Sequence, residues 1–312
     1  ETTRALLGER ANVKVCDSMG QSAMDVAMAR DAEEVVDALN EREEEQAQLR
    51  EAANEGGSEA VAELLGRGVD PDGTDPTGKT AMNYAAMSGH ARVVELLLEA
   101  GGAAGNGVEG MRQPLHGAAQ GGHGEVVRRL LGGRAGVDVR DDEGNTAMHF
   151  AAQGGHEEAC RVLLEAGSDV RAVNSEGNTI LHEVVGGAVV GLLASAGAPH
   201  SLGNGDGIVP LHNTEEAEVV EALVGAKASV GAVDRWGQTA LHHAAWEKRA
   251  GVVAALVQMK CDVDAVDMYG RTALHLVSDG ETTRALLGER ANVKVTDYFG
   301  VSAMDVAMAR DA

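Results

Sequence analysis

The chain has 312 residues, 44% of them hydrophobic and only 2% aromatic, with 41 glycines and a formal net charge of −23. That length exceeds what one hydrophobic core usually serves, and so few rings exclude a core built around aromatic side chains. The negative charge, with no basic run or basic amphipathic helix beside it, repels phosphate backbones and anionic lipid, so nucleic acid and membrane surfaces are poor partners. Cys16, Cys160 and Cys261 are odd in number and far apart. This argues against a disulfide framework and for a reducing compartment, cytoplasmic or otherwise intracellular. Within these residues there is no secretory-signal pattern and no apolar run long enough to span a bilayer.

From the N-terminus onward one position recurs, at Asp25, Arg50, Asn83, His116, His149, His182, His212, His242, His275 and Asp305, with spacings of 25, 33, 33, 33, 33, 30, 30, 33 and 30. Residues 33–63 interrupt this register with eleven acids against Arg42 and Arg50. There a helix over Glu33–Asn40 is expected to run into the acidic stretch 41–48. Further along, Gly73–Thr80 matches a phosphate-loop pattern letter for letter. A true phosphate loop follows a buried strand, whereas here Asp70, Asp72 and Asp75 surround the glycines and would repel an anion. The match is read as a decoy.

The most complete unit is Asp141–Val170, DDEGNTAMHFAAQGGHEEACRVLLEAGSDV. Thr146-Ala147-Met148-His149 opens a short helix, Ala151-Ala152 face inward, and Gly154-Gly155-His156 turn the chain into a second helix, Glu157–Glu165. The second helices share a stripe of apolar pairs four residues apart (Val93, Val94, Leu97, Leu98; then 126, 127, 130, 131; 219, 220, 223, 224; 252, 253, 256, 257), which buries against the next unit. Gly78, Gly144, Gly177, Gly237, Gly270 and Gly300 are expected at positive φ in hairpin turns. The 30-residue steps follow units that lack the Gly-His turn, so a clipped first helix is expected there.

These motifs resemble the ankyrin repeat, with its D-x-x-G-x-T-P-L-H-x-A-A-x-x-G-H signature and its period near 33 residues. The resemblance implies an all-α solenoid of about ten units with short β-hairpin loops along one edge. Residues 33–40 and 49–57 then resemble a polar closing helix and a polar opening repeat, which places an array boundary near residue 45. Residues 1–45 would be the C-terminal end of a preceding module with an acidic junction helix, and 46–312 the main array with a truncated last repeat. Because the chain starts and stops inside a repeat, it is expected to be a fragment.

Residues 281–312 repeat residues 1–32 with 28 of 32 identities. The differences, Cys16/Thr296, Ser18/Tyr298, Met19/Phe299 and Gln21/Val301, surround one D-x-x-G turn. Unchanged helices with changed tips suggest that contact chemistry resides at the tips; drift at positions that packing leaves free competes with that reading.

The resemblance assigns His116, His149, His182, His212, His242 and His275 a structural part, tying hairpin to helix opening, and places His90, His123 and His156 at the Gly-His turn. Only His200 and His243 fall outside those slots. No Cys/His set has zinc spacing, and Cys160 lies on an apolar stripe as a small core residue. No catalytic residue, metal or cofactor is expected. The aromatic residues gather late in the chain: Trp236, Tyr269, Tyr298 and Phe299 at hairpin tips, and Trp246 at a position that in ankyrin arrays points into the concave groove. Beside them stand Arg235, Gln238, Glu247, Met268 and Arg271. Trp, Tyr and Arg dominate interface hot spots, so these ten residues are the expected protein-binding surface. Packing of tip against tip is the competing role. The expected function is a non-enzymatic protein-interaction scaffold. The alternatives are an architectural spacer in a large assembly, or the regulatory arm of a larger enzyme or channel.

Overall fold

A computed structural model of the chain describes residues 33–105, 111–288 and 291–310. The chain divides into two compact units, Glu1–Asp142 and Glu143–Ala312. Asp25, Cys16 and the first member of the internal repeat lie outside the described residues.

In the first unit α1 (Glu33–Glu55) is followed by α2 (Ser58–Gly66), then the pairs α3 (Ala81–Ser88) with α4 (Ala91–Glu99) and α5 (Pro114–Gln120) with α6 (Gly124–Gly132). First helices stack on first helices, α1 on α3 on α5, and second on second, α2 on α4 on α6. Residue 45, the expected array boundary, falls inside α1, which runs unbroken to Glu55.

The second unit holds α7 (Ala147–Gln153) with α8 (Glu157–Glu165), then α9 (Gly187–Ser195), a 3₁₀ turn at Pro210–His212 before α10 (Ala217–Gly225), α11 (Ala240–Trp246) with α12 (Ala250–Gln258), α13 (Ala273–Leu276) with α14 (Gly280–Gly288), and α15 (Ala303–Arg310). The stacking rule is the same: α8, α9, α10, α12 and α14 form one row, and α11, α13 and α15 another. First helices are clipped where the sequence is three residues short. Residues 180–183 form only turns, 210–212 a single 3₁₀ turn and 273–276 four residues of helix.

The rows follow from side-chain size. The Val-Val pair and first Leu of second helices, such as Val93, Val94 and Leu97 or Val252, Val253 and Leu256, are at most 2% exposed. Each such side chain contributes roughly 1.5–3 kcal/mol by leaving water. The Ala pairs 85–86, 118–119, 151–152 and 244–245 are equally buried and keep the first helices thin. Among the described residues no helix is long and apolar enough to cross a membrane.

Candidate functional site

The late hairpins are closed by one carboxylate each. Asp234 accepts backbone N–H from Trp236 and Gln238 at 2.8 and 2.9 Å. Asp267 does so from Tyr269 and Arg271, both at 2.9 Å, and Asp297 from Phe299 and Val301, again at 2.9 Å. Antiparallel bridges Val233–Thr239 and Thr296–Ser302 complete two of these loops. Gly237 and Gly270 sit at φ 74° and 77°, the left-handed region where a side chain is strained. A Cβ at Gly270 would also meet the Tyr298 ring at 2.6 Å.

Successive tips are joined through the backbone. Arg235 N–H donates to the Asp206 carbonyl at 3.0 Å, Met268 N–H to Trp236 at 2.9 Å, and Tyr298 N–H to Tyr269 at 3.0 Å. The residues between carboxylate and glycine are therefore held in a row. The Arg235 guanidinium lies 4.2 Å from the Trp236 ring and pairs with Asp206. Arg271 lies 4.7 Å from the Tyr269 ring and grips Asp267 through Nε and Nη2 at 2.9 and 2.7 Å. Burial opposes the charge on Asp267, but the Arg271 bonds and the two backbone donors outweigh it and hold its carboxyl below the usual range. Cation–π stacking fixes each Arg–aromatic pair beforehand, so less side-chain freedom is lost on contact.

The tips stay open to solvent. Tyr298 is 74% and Phe299 80% exposed; Met268 and Tyr269 are exposed too, and Trp236 half-buried. The structure thus brings Arg235, Trp236, Gln238, Met268, Tyr269, Arg271, Tyr298 and Phe299 onto one hairpin edge. Trp246 and Glu247 are exposed but separate. They stand at the far end of α11, about 10 Å along the helix at 1.5 Å per residue.

A family model for ankyrin repeats (3 copies) matches residues 49–140, 115–203 and 209–297. The chain belongs to the ankyrin-repeat family. Repeats of this family generally mediate protein–protein interaction and are typically non-enzymatic. No curated protein matches the chain.

The ankyrin histidines carry structure. Nδ1 of His116, His182, His212, His242 and His275 accepts the N-cap backbone N–H, while Nε2 donates to a carbonyl of the following hairpin, as in His182 to Ile208 at 2.8 Å. Burial lowers the pKa of His116, His182 and His242, and burial with the nearby His243 takes His212 down to about 4. Asn83 fills the same slot with its carboxamide, accepting from Thr80 N–H at 3.0 Å and donating to the Arg112 carbonyl at 3.3 Å.

Sequence reasoning missed a further tie. The second oxygen of the hairpin carboxylate is bound by a side chain nine residues on: Tyr84 hydroxyl to Asp75 at 2.7 Å, His243 Nε2 to Asp234 at 2.9 Å. The repeated nine-residue offset was the available signal. The phosphate-loop match is such a hairpin: Asp75 accepts N–H from Thr77 and Lys79, filling with a carboxylate the space an anion would need. Burial pushes the Cys160 thiol up to about 12 and Cys261 to about 11, far from the thiolate a nucleophile requires.

Clipping of the first helices leaves a recess of about 580 Å³, lined by Gln153, Glu183, Asn213, Glu215, Glu216 and Arg249 among others. Arg249 stands where other repeats have the Gly-His histidine. Its Nη1 donates to the Asn213 and Thr214 carbonyls at 3.3 and 3.0 Å, as His123 Nε2 does to Met87 at 3.1 Å.

Proposed function

We propose that this chain is a non-enzymatic docking module that holds a partner protein on the hairpin edge formed by Arg235, Trp236, Gln238, Met268, Tyr269, Arg271, Tyr298 and Phe299. Trp246 and Glu247 would contact a more distant part of the same partner. The observation that supports this reading best is the exposure of Tyr298 and Phe299 at the end of a backbone-bonded row of tips. Large rings bury much area on contact at low entropic cost, and rings that served only tip packing would be covered by their neighbours. Recognition would be by rigid complementarity, since the carboxylate and glycine of each hairpin fix the tips in advance. The partner is a protein, and the chain's negative charge disfavours nucleic acid and anionic membranes.

The test is comparative affinity capture with the full chain and with the Trp236→Ala/Tyr269→Ala variant. The expected result is loss of the captured partner at an unchanged thermal midpoint. Equal loss of stability and capture would return the rings to tip packing.

A second reading, an architectural spacer in a large assembly, is favoured by the 28 of 32 identities between residues 1–32 and 281–312. It keeps the scaffold and varies the tips. In it residues 1–45 close one module and 46–312 form the next, with the junction inside the acidic stretch of α1. Docking of partners along the whole length in a native complex would support it. Placement of the module in an intracellular reducing compartment belongs to either reading.

A further inference from the structure

The recess in the first-helix row of the second unit follows from chain length. The second helices α8 and α12 begin at Glu157 and Ala250, eight positions after His149 and His242. By contrast α9 and α10 begin at Gly187 and Ala217, only five positions after His182 and His212. Two consecutive repeats therefore lack the last turn of the first helix, while α7 and α11 before and after them keep theirs and end at Gln153 and Trp246. The second helices α8, α9, α10 and α12 pack in unbroken succession, so the repeats cannot close up over the missing turns. The space that remains, about 580 Å³, falls in the size range of ligand sites, roughly 300–1,000 Å³.

Its lining is of two kinds. Val185 gives it an exposed apolar wall. Beside that wall stand the carboxylates of Glu183, Glu215 and Glu216 against one cation, Arg249. Arg249 is already engaged with the Asn213 and Thr214 carbonyls at 3.3 and 3.0 Å and reaches Glu215 only at 3.5 Å. Glu183 accepts from Gln153 Nε2 and Glu216 from the Gly186 N–H, both at 3.0 Å. A carboxylate has room for about four donors, so each can take more. Desolvation and the like charges of Glu176 and Glu143 raise the Glu183 pKa, an effect that a cation placed beside it reverses. An apolar wall next to carboxylates matches a lysine or arginine side chain, whose methylene stem lies on apolar surface while its head stays in polar surroundings. Trp246 and Glu247, which stand directly before Lys248 and Arg249 in the chain, are exposed and offer a further ring and carboxylate.

We propose that this recess receives a lysine or arginine side chain from the protein partner held on the hairpin edge, with the stem against Val185 and the head among Glu183, Glu215 and Glu216. This second contact rests on the docking function above and adds the chemistry of the partner: a basic segment, drawn in by a chain whose net charge is −23 and weakened by salt as exposed ion pairs are.

Amide NMR titration of the full chain with a blocked peptide of arginines alternating with alanines tests this. The Gly186 amide, bonded to Glu216, should shift on addition. Glu183→Gln/Glu215→Gln keeps an acceptor oxygen at each position and removes both charges; it should weaken the peptide about fivefold, the loss of two exposed ion pairs. Glu165→Gln/Glu221→Gln, at exposed positions of α8 and α10, removes the same net charge and should leave the affinity unchanged. Equal weakening by the two variants would trace binding to the overall field of the chain and overturn the proposal. So would a silent Gly186, or spermidine competing as well as the peptide. The Trp236→Ala/Tyr269→Ala variant separates the two contacts. Peptide bound by that variant as by the unaltered chain supports the recess whatever becomes of partner capture, and peptide binding lost with the rings would overturn it. Capture that survives loss of the rings overturns the hairpin edge alone.

Discussion

Hairpins 75–79 in the first unit and 267–271 in the second share a backbone pattern and differ in the side chains they expose. In each, one carboxylate oxygen accepts the N–H of the residues two and four on: Thr77 and Lys79 for Asp75, Tyr269 and Arg271 for Asp267. In each, the other oxygen takes a side-chain donor, Tyr84 hydroxyl or the Arg271 fork. Between carboxylate and glycine the first shows Pro76-Thr77 and the second Met268-Tyr269. The carboxylate and glycine are scaffold; the residues between them lend it backbone N–H groups and, at Thr77, a hydroxyl donated to Asp75 at 2.7 Å, while the exposed side chains of Met268 and Tyr269 are open to contact chemistry.

The largest effect should come from the shared part. Asp267→Ala leaves two backbone donors and Arg271 without their acceptor and should cost roughly 3–4 kcal/mol in urea unfolding. Asp75→Ala should cost nearly as much. A loss at only one hairpin would break the equivalence of the two.

The buried histidines extend the comparison to the helix side of the hairpins. His212 is held down to about 4 by burial and by His243, against about 6.5 unfolded. Its contribution is therefore complete above pH 6.5 and is lost as pH falls towards 4, because the unfolded chain takes up the proton first. The loss should be on the order of 3 kcal/mol, read from unfolding curves between pH 7 and 4. His212→Asn, which copies the solution found at Asn83, should flatten that profile while keeping the hairpin tie; an unchanged profile would place the titration elsewhere.

The residues between carboxylate and glycine should behave in the opposite way. Tyr298→Ser/Phe299→Met gives the last tip the first copy's residues at 18 and 19. It should leave unfolding within about 0.5 kcal/mol while reducing capture of the partner at least about tenfold. The smallest effect is expected at Lys79: Lys79→Ala should change stability by under about 0.5 kcal/mol, and adding ATP with magnesium should not move the thermal midpoint of either form.

Much of the fold was legible in the residues. The Val-Val-x-x-Leu stripes and Ala pairs depend on side-chain volume at helical spacing, and Gly237 and Gly270 on backbone freedom; both are local properties. Less legible was which residue performs a given hydrogen bond. Asn83 and Arg249 take over from histidine at two different slots, since any donor of suitable reach can meet the waiting carbonyl.

The repeating unit, its two helices and the glycine turn of each hairpin follow from the residues of a single repeat, because those preferences act between near neighbours in the chain. Only the packing of neighbours decided that Tyr298 and Phe299 remain in solvent while Trp236 is half-buried, and that α1 continues through residue 45. Exposure depends on what the adjoining hairpins and helices place beside a ring, and no property of the ring's own repeat carries that information.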